Sequence, residues 1–169
     1  YLERYDMAQD LRQGGTFLLN CPWTSEEMEE KLPVKVKQIL AEKEIRFYCI
    51  DGFAIGKEIG LGGRINTILQ AAFFAISGIL PVEKAQNLLK EAAEKTYGKK
   101  GQAVVEQNRK AIEEGMTKFR KIEVKEEWKK PEEEKREKQE EPTSFLHYVK
   151  TIQRKMNSQR GDELPVSEF

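Results

Sequence analysis

Gly60, Gly62 and Gly63 cluster within Glu58–Gln70 and are followed by Arg64, then by Asn66 and Thr67. Glycines let a backbone turn tightly or lie close against a flat or charged group. A helix that starts just after them points its unpaired N–H groups at the turn, and an arginine beside it suits an oxyanion. The chemistry on offer is phosphate or carboxylate binding. The plainer alternative is a tight loop between two packed helices. Gly60 and Gly62 match the first two positions of a dinucleotide fingerprint, but Ile65 stands where the third glycine belongs. The residues before Gly60 also read as helix rather than strand. No Gly-Lys-Ser/Thr follows, which excludes a P-loop.

Two further residues invite a chemical reading. Cys21 opens Cys21-Pro22-Trp23, and Thr24 or Ser25 can cap the helix behind it. Its thiol is therefore either a reactive group near a helix N-terminus or a small buried hydrophobe. Asp51 closes an apolar run and is either a carboxylate at a strand end or the cap of a helix running to Glu58. Cys21 and Cys49 lie far apart with no Cys-x-x-Cys pairing, and His147 is the single histidine. Standard ligand spacings assemble no zinc or iron–sulfur site from these, so no metal ligand and no catalytic residue is assigned. Reduced thiols fit a cytosolic setting better than a disulfide framework does.

These residues need elements to hold them. Tyr5, Ala8 and Leu11 recur at helical spacing, so Tyr1–Arg12 reads as the end of a helix stopped by Gly14-Gly15. Thr16–Asn20 is a short buried strand, Pro33–Glu44 a helix and Arg46–Asp51 a second strand. Near-continuous apolar strands separated by a helix predict a parallel βαβ unit. Ile65–Leu80 is apolar on most sides and must be buried against the domain or a partner. An amphipathic helix from Pro81 to about Tyr97 and another from Gln102 to about Phe119 follow. Lys99-Lys100 reads as compensation of a helix dipole, with anion binding as the sharper alternative. Arg120–Pro142 alternates Glu and Lys in blocks and reads as a solvated linker. A short helix spans Phe145–Met156 with His147 beside its apolar face, and Arg160-Gly161-Asp162 is a turn.

The totals set bounds. One domain with a sizeable core fits in 169 residues. Lys plus Arg and Asp plus Glu both number 29, so the balance calls for neither nucleic acid nor an anionic membrane. No apolar run reaches membrane-spanning length. The chain opens at Tyr1 inside an apparent helix and reads as a piece of a longer polypeptide.

Four ordered blocks carry a resemblance: Gly14 to Trp23 (GGTFLLNCPW), Glu58 to Thr67 (EIGLGGRINT), Lys95 to Gly101 (KTYGKKG) and Gly161 to Ser167 (GDELPVS). Together they resemble the pyruvate:ferredoxin (or flavodoxin) oxidoreductase family. The resemblance implies an α/β chain: an incomplete three-layer α/β/α domain with few strands and a helical C-terminal half, followed by a charged linker and a short helix. Residues 1–118 resemble the later part of the family's γ-type domain, 119–142 its charged linker, and 143–169 the start of the connecting region before a ferredoxin-like domain. The family decarboxylates a 2-oxoacid on thiamine diphosphate with magnesium and passes electrons through 4Fe–4S clusters to ferredoxin or flavodoxin. The acyl group goes to coenzyme A. The resemblance further implies contacts with other domains of the same polypeptide, a homodimer, and a cytoplasmic or hydrogenosome-like location.

This chain departs from the family's full pattern, having no cluster-binding cysteine run and no thiamine-binding segment. It is expected to bind no cofactor alone and to be inactive by itself. Gly60, Gly62, Gly63, Arg64, Asn66 and Thr67 then become candidates for a coenzyme A contact or an interdomain loop. Two other readings compete: an independent nucleotide-binding domain, and a non-enzymatic interaction module with a buried apolar helix.

Overall fold

The computed structural model describes residues 2, 7–130, 152–157 and 161–163. The chain divides into two units: one of Thr16–Glu30 with Arg46–Glu123, the other of Tyr1–Gly15, Lys31–Ile45 and Val124–Phe169.

The first unit is built on a sheet ordered β1-β2-β3. β1 (Thr16–Asn20) and β2 (Arg46–Ile50) are parallel, with Phe17 opposite Phe47 and Leu19 opposite Cys49. The Phe17 and Phe47 rings stack at 5.7 Å. The connection between the two strands is helical, through α1 (Ser25–Lys31) and α2 (Val34–Glu42), as a βαβ unit requires. Thr24 and Glu27 form a reciprocal cap at the start of α1. The Thr24 N–H donates to the Glu27 carboxylate and the Glu27 N–H to the Thr24 hydroxyl.

β3 (Arg120–Ile122) pairs antiparallel with β2, placing Arg120 opposite Cys49 and Ile122 opposite Phe47. This strand lies in the stretch read as a charged linker at 119–142. Backbone pairing to an open strand edge is indifferent to side-chain charge, so β3 forms with Arg120 and Lys121 exposed and Ile122 buried. Phe119, beside it, meets the Tyr48 ring edge-on at 5.8 Å.

Helices make up the rest of this unit. α3 (Gly52–Glu58), α4 (Asn66–Ser77), α5 (Val82–Tyr97) and α6 (Gln102–Thr117) follow β2, with a 3-10 turn at Gly98–Lys100. α4 serves two apolar clusters, as its near-uniform apolar sequence demands. Ile68 and Ala72 join Ile50, Ile55, Leu61 and Ala111. Ala71 joins Ala85, Leu89, Ala93, Ile112 and Met116. The apolar run continues to Leu80, but α4 stops at Ser77, where Gly78 takes a left-handed conformation with φ of 66°.

The second unit contains α2, and the 3-10 segment Glu126–Lys129 packs against it with Trp128 buried. Here too the charged stretch contributes to a core. The helix expected at Tyr1–Arg12 is not formed over residues 7–12, which are turn and irregular. The Lys43 ammonium accounts for this, since it donates to the Gln9 carbonyl at 2.6 Å and the Leu11 carbonyl at 2.7 Å, taking the place of helical N–H donors. Leu11 N–H turns back to Ala8 O instead of continuing a helix. Of the helix expected at Phe145–Met156, the described part is α7 (Arg154–Asn157), and a 3-10 turn follows at Gly161–Glu163. His147 and the rest of that expectation lie outside the described residues. The architecture is mixed α/β, with few strands and a helical second half.

Candidate functional site

The glycine-rich loop begins where β2 ends. The Asp51 carboxylate accepts from the Ala54 N–H at 2.9 Å, so it caps α3. Beside it, the Asn20 side chain at the end of β1 accepts the Gly52 N–H at 2.8 Å. Both neighbouring strand ends thereby fix the start of α3. The helix closes at Ile59, and Gly60 and Gly62 reverse the chain with φ of 79° and 59°.

Most of the loop's donors are turned inward. Gly60 N–H bonds Lys57 O, and Leu61 and Gly62 N–H both bond Gly56 O. Arg64 N–H bonds Leu61 O, and Ile65 N–H bonds Gly63 O. A phosphate cradle needs those amides pointing outward together. The loop instead folds on itself around buried Leu61, which anchors it in the cluster of Ile50, Ile55 and Ile68. Gly56 is part of this device, because a Cβ there would stand 2.6 Å from Gly62 O.

Each residue singled out in the sequence has a definite place. Gly62, Gly63, Arg64 and Asn66 are exposed. Arg64 donates its Nε to Leu61 O at 3.2 Å, which lays its stem along the loop. Gly60 O accepts from Gln107 Nε2 at 3.4 Å. Thr67 points inward, donating its hydroxyl to Asn108 Oδ1 at 3.0 Å, while Asn108 Nδ2 donates to Val104 O at 2.9 Å. The six residues thus share one loop, but Thr67 belongs to the α4–α6 contact rather than to the outer surface. Beside the loop, Lys118 pairs with Glu58 at 3.1 Å and Glu114 at 2.6 Å. The hydrogen bond that Lys118 donates to Glu114, then the one to Glu58, raises the lysine's pKa. At the far end of α5, Lys100 lies 5.6 Å from the centre of the Tyr97 ring.

The structure also joins two residues that are far apart in sequence. Cys21, just past β1, and Cys49, on β2, bring their sulfurs to 3.2 Å. Both are free thiols and both are buried. The hydrogen bond with Cys49, and then burial, hold Cys21 protonated, well above an ordinary thiol. Cys49 is lowered to about 7, chiefly by the hydrogen bond from Cys21, with Arg120 adding to the effect. Arg120 is held in place by its Nη2 donating to Trp23 O at 2.7 Å. Sequence spacing did not disclose this pair, because only the parallel register of β1 and β2 creates it.

The donor set does not fit an iron–sulfur cluster. The two thiols touch each other, and among the described residues no group of three or more His, Cys, Asp or Glu converges. No helix among the described residues is long and apolar enough to cross a membrane.

A family model described as pyruvate ferredoxin/flavodoxin oxidoreductase matches residues 1–118, and a model of a domain of unknown function matches residues 131–169. The chain is 43% identical over its whole length to the pyruvate-flavodoxin oxidoreductase of Klebsiella pneumoniae, of which it covers 14%. It is 38% identical to the pyruvate:ferredoxin oxidoreductase of Moorella thermoacetica, again covering 14% of that protein. It is also 38% identical to a pyruvate dehydrogenase (NADP+) of Cryptosporidium parvum, covering 10% of it. The chain therefore corresponds to a small part of these long relatives. With the family model matching residues 1–118, more than half of its length, this chain belongs to the pyruvate ferredoxin/flavodoxin oxidoreductase family.

Proposed function

We propose that this chain is a scaffold segment of an enzyme that oxidatively decarboxylates pyruvate with coenzyme A, giving acetyl-CoA and CO2 and passing electrons to ferredoxin or flavodoxin. Thiamine diphosphate, magnesium and iron–sulfur clusters are assigned to other parts of that polypeptide; for the clusters, no group of three or more His, Cys, Asp or Glu converges among the described residues. The observation that carries the scaffold role is the apolar surface between Phe73 and Leu88. Phe73, Ile79, Val82 and Leu88 are all exposed. Each is already about half covered, so burying the rest against another domain contributes about 1 kcal/mol per residue. The similar identity to relatives named for flavodoxin, ferredoxin and NADP+ supports the same role, since a segment that chose the acceptor would divide them.

For the Gly60–Thr67 loop the interdomain reading is the better supported of the two. Most of its amides are spent on its own carbonyls, leaving Gly62, Gly63, Arg64 and Asn66 as the surface offered to a neighbouring domain. A coenzyme A contact would rest on the Arg64 guanidinium and the first turn of α4. We assign residues 1–118 to the later part of the γ-type domain, with β3 continuing it, and 143–169 to the start of the connecting region. The charged linker then falls on the remainder of 119–142. The parent is assigned as a homodimer in a cytoplasmic or hydrogenosome-like compartment.

The test uses the full-length polypeptide that carries this sequence. It should reduce flavodoxin or ferredoxin with pyruvate in a coenzyme A-dependent manner, and the 169-residue chain alone should not. Arg64→Ala should leave the KM for coenzyme A within about twofold, and a much larger rise would move the loop to the coenzyme A site. Loss of the pyruvate-dependent reaction in the unaltered full-length protein would overturn the assignment.

A further inference from the structure

We propose that Cys21 and Cys49 form a peroxide-oxidisable dithiol, at which this chain takes an intramolecular disulfide. The scaffold role makes no use of thiol chemistry, yet two buried free thiols touch each other here. The sulfurs stand 3.2 Å apart, and a disulfide needs about 2.05 Å, so closure requires a movement of roughly 1 Å. The backbone already holds them in position. Leu19 is paired with Cys49 in the parallel register, and Cys21 N–H bonds Ile50 O at 2.9 Å, one residue past Cys49. Cys21 lies beyond the end of β1, at the start of the Pro22-Trp23 turn, so its side chain can shift without breaking the ladder.

The surroundings favour a thiolate in the pair. A proton is shared between the sulfurs, either of which can act as donor. The Arg120 guanidinium from β3 faces them and favours the negative charge. Cys21 is 8% exposed and Cys49 0%. The rim sulfur of Cys21 therefore meets a small oxidant, giving up its proton to the Cys49 sulfur 3.2 Å away as it attacks, and the enclosed Cys49 resolves the product.

The oxidant is hydrogen peroxide. One sulfur, as thiolate, attacks a peroxide oxygen. An S–O bond forms, the O–O bond breaks and hydroxide leaves. The second sulfur then attacks that sulfenic sulfur, forming the S–S bond and expelling the second hydroxide. The two thiol protons leave with the two hydroxides as water. The dithiol gives up two electrons and the peroxide takes them. The product ties the Cys21-Pro22-Trp23 turn covalently to β2.

The experiment treats the reduced full chain with stoichiometric hydrogen peroxide, removes the excess with catalase, unfolds the protein and alkylates it with iodoacetamide. Peptide mapping should recover Cys21 linked to Cys49 with neither alkylated, and dithiothreitol should restore both thiols. Because the fold supplies the proximity, closure should be roughly tenfold or more faster in the folded chain than in urea. In Cys49→Ser, dimedone should trap a sulfenic acid on Cys21. The unaltered chain tests the proposal by itself if that variant fails to fold. Both cysteines alkylated after peroxide, either driven to sulfinic acid, a link between two chains, or equal rates with and without urea would each overturn it.

Discussion

The Thr67 hydroxyl donates to Asn108 Oδ1 at 3.0 Å and so ties the first turn of α4 to α6. Asn108 is 4% exposed, and its amide nitrogen is already committed to Val104 O. Its oxygen depends on Thr67. Replacing Thr67 by Val keeps the shape but leaves that buried acceptor unpaired, at a cost of about 1–2 kcal/mol. Thr67→Ser should retain most of the stability. Urea unfolding midpoints of the two variants check the difference.

Gly115 of α6 lies against the Ile68 carbonyl of α4, with Ala71 Cβ beside it at 3.0 Å from where a methyl group would stand. The obstacle is backbone inside a helix, so it cannot swing aside. Gly115→Ala gains helix propensity yet forces α4 and α6 apart, and it should destabilise the chain by about 3 kcal/mol. Thermal unfolding measures this. A neutral result would show that the two helices can separate freely.

Trp128 carries the burial in the charged stretch. Its indole N–H has no hydrogen-bond partner among the described residues, so its contribution is apolar. Trp128→Phe should cost far less than Trp128→Ala, for which about 3–5 kcal/mol is expected. Both remove one of two tryptophans, so the comparison is best read by circular dichroism rather than fluorescence.

The thiol pair should make stability pH-dependent under reducing conditions. Cys49 is lowered to about 7 from the ordinary 9.0, so between those values the folded chain has released a proton that the unfolded chain still holds. The unfolded state binds more protons there, and stability rises with pH, by at most about 1.4 kcal/mol per pH unit. As pH falls through the folded value this contribution is lost. Above 9.0 the unfolded chain frees both thiols while Cys21, raised by its neighbour and by burial, keeps its proton, so stability falls again. Urea midpoints through this range should peak near 9.0. Cys49→Ser should flatten the profile.

Local patterns were legible without coordinates. Thr24 and Asp51 as caps, Pro33 before α2, the two apolar strands and the amphipathic α5 and α6 each follow from residues within a turn or two of one another. Charge density concealed β3 and Trp128, because composition averages over residues of which, among the described ones, only Ile122 and Trp128 are buried. The opening residues misled for a related reason. Helical spacing over Tyr5, Ala8 and Leu11 could not reveal a distant lysine that takes the Gln9 and Leu11 carbonyls.

The sequence by itself determined the order of most elements and, through four ordered blocks, the family, because both are written in short-range residue patterns. Tertiary structure alone decided what the glycine loop does with its amides and which side chains meet across the fold. Cys21 and Cys49 are 28 residues apart, and Thr67 and Asn108 are 41. Strand register and helix packing select such partners, and both depend on the burial of many side chains at once rather than on any local spacing.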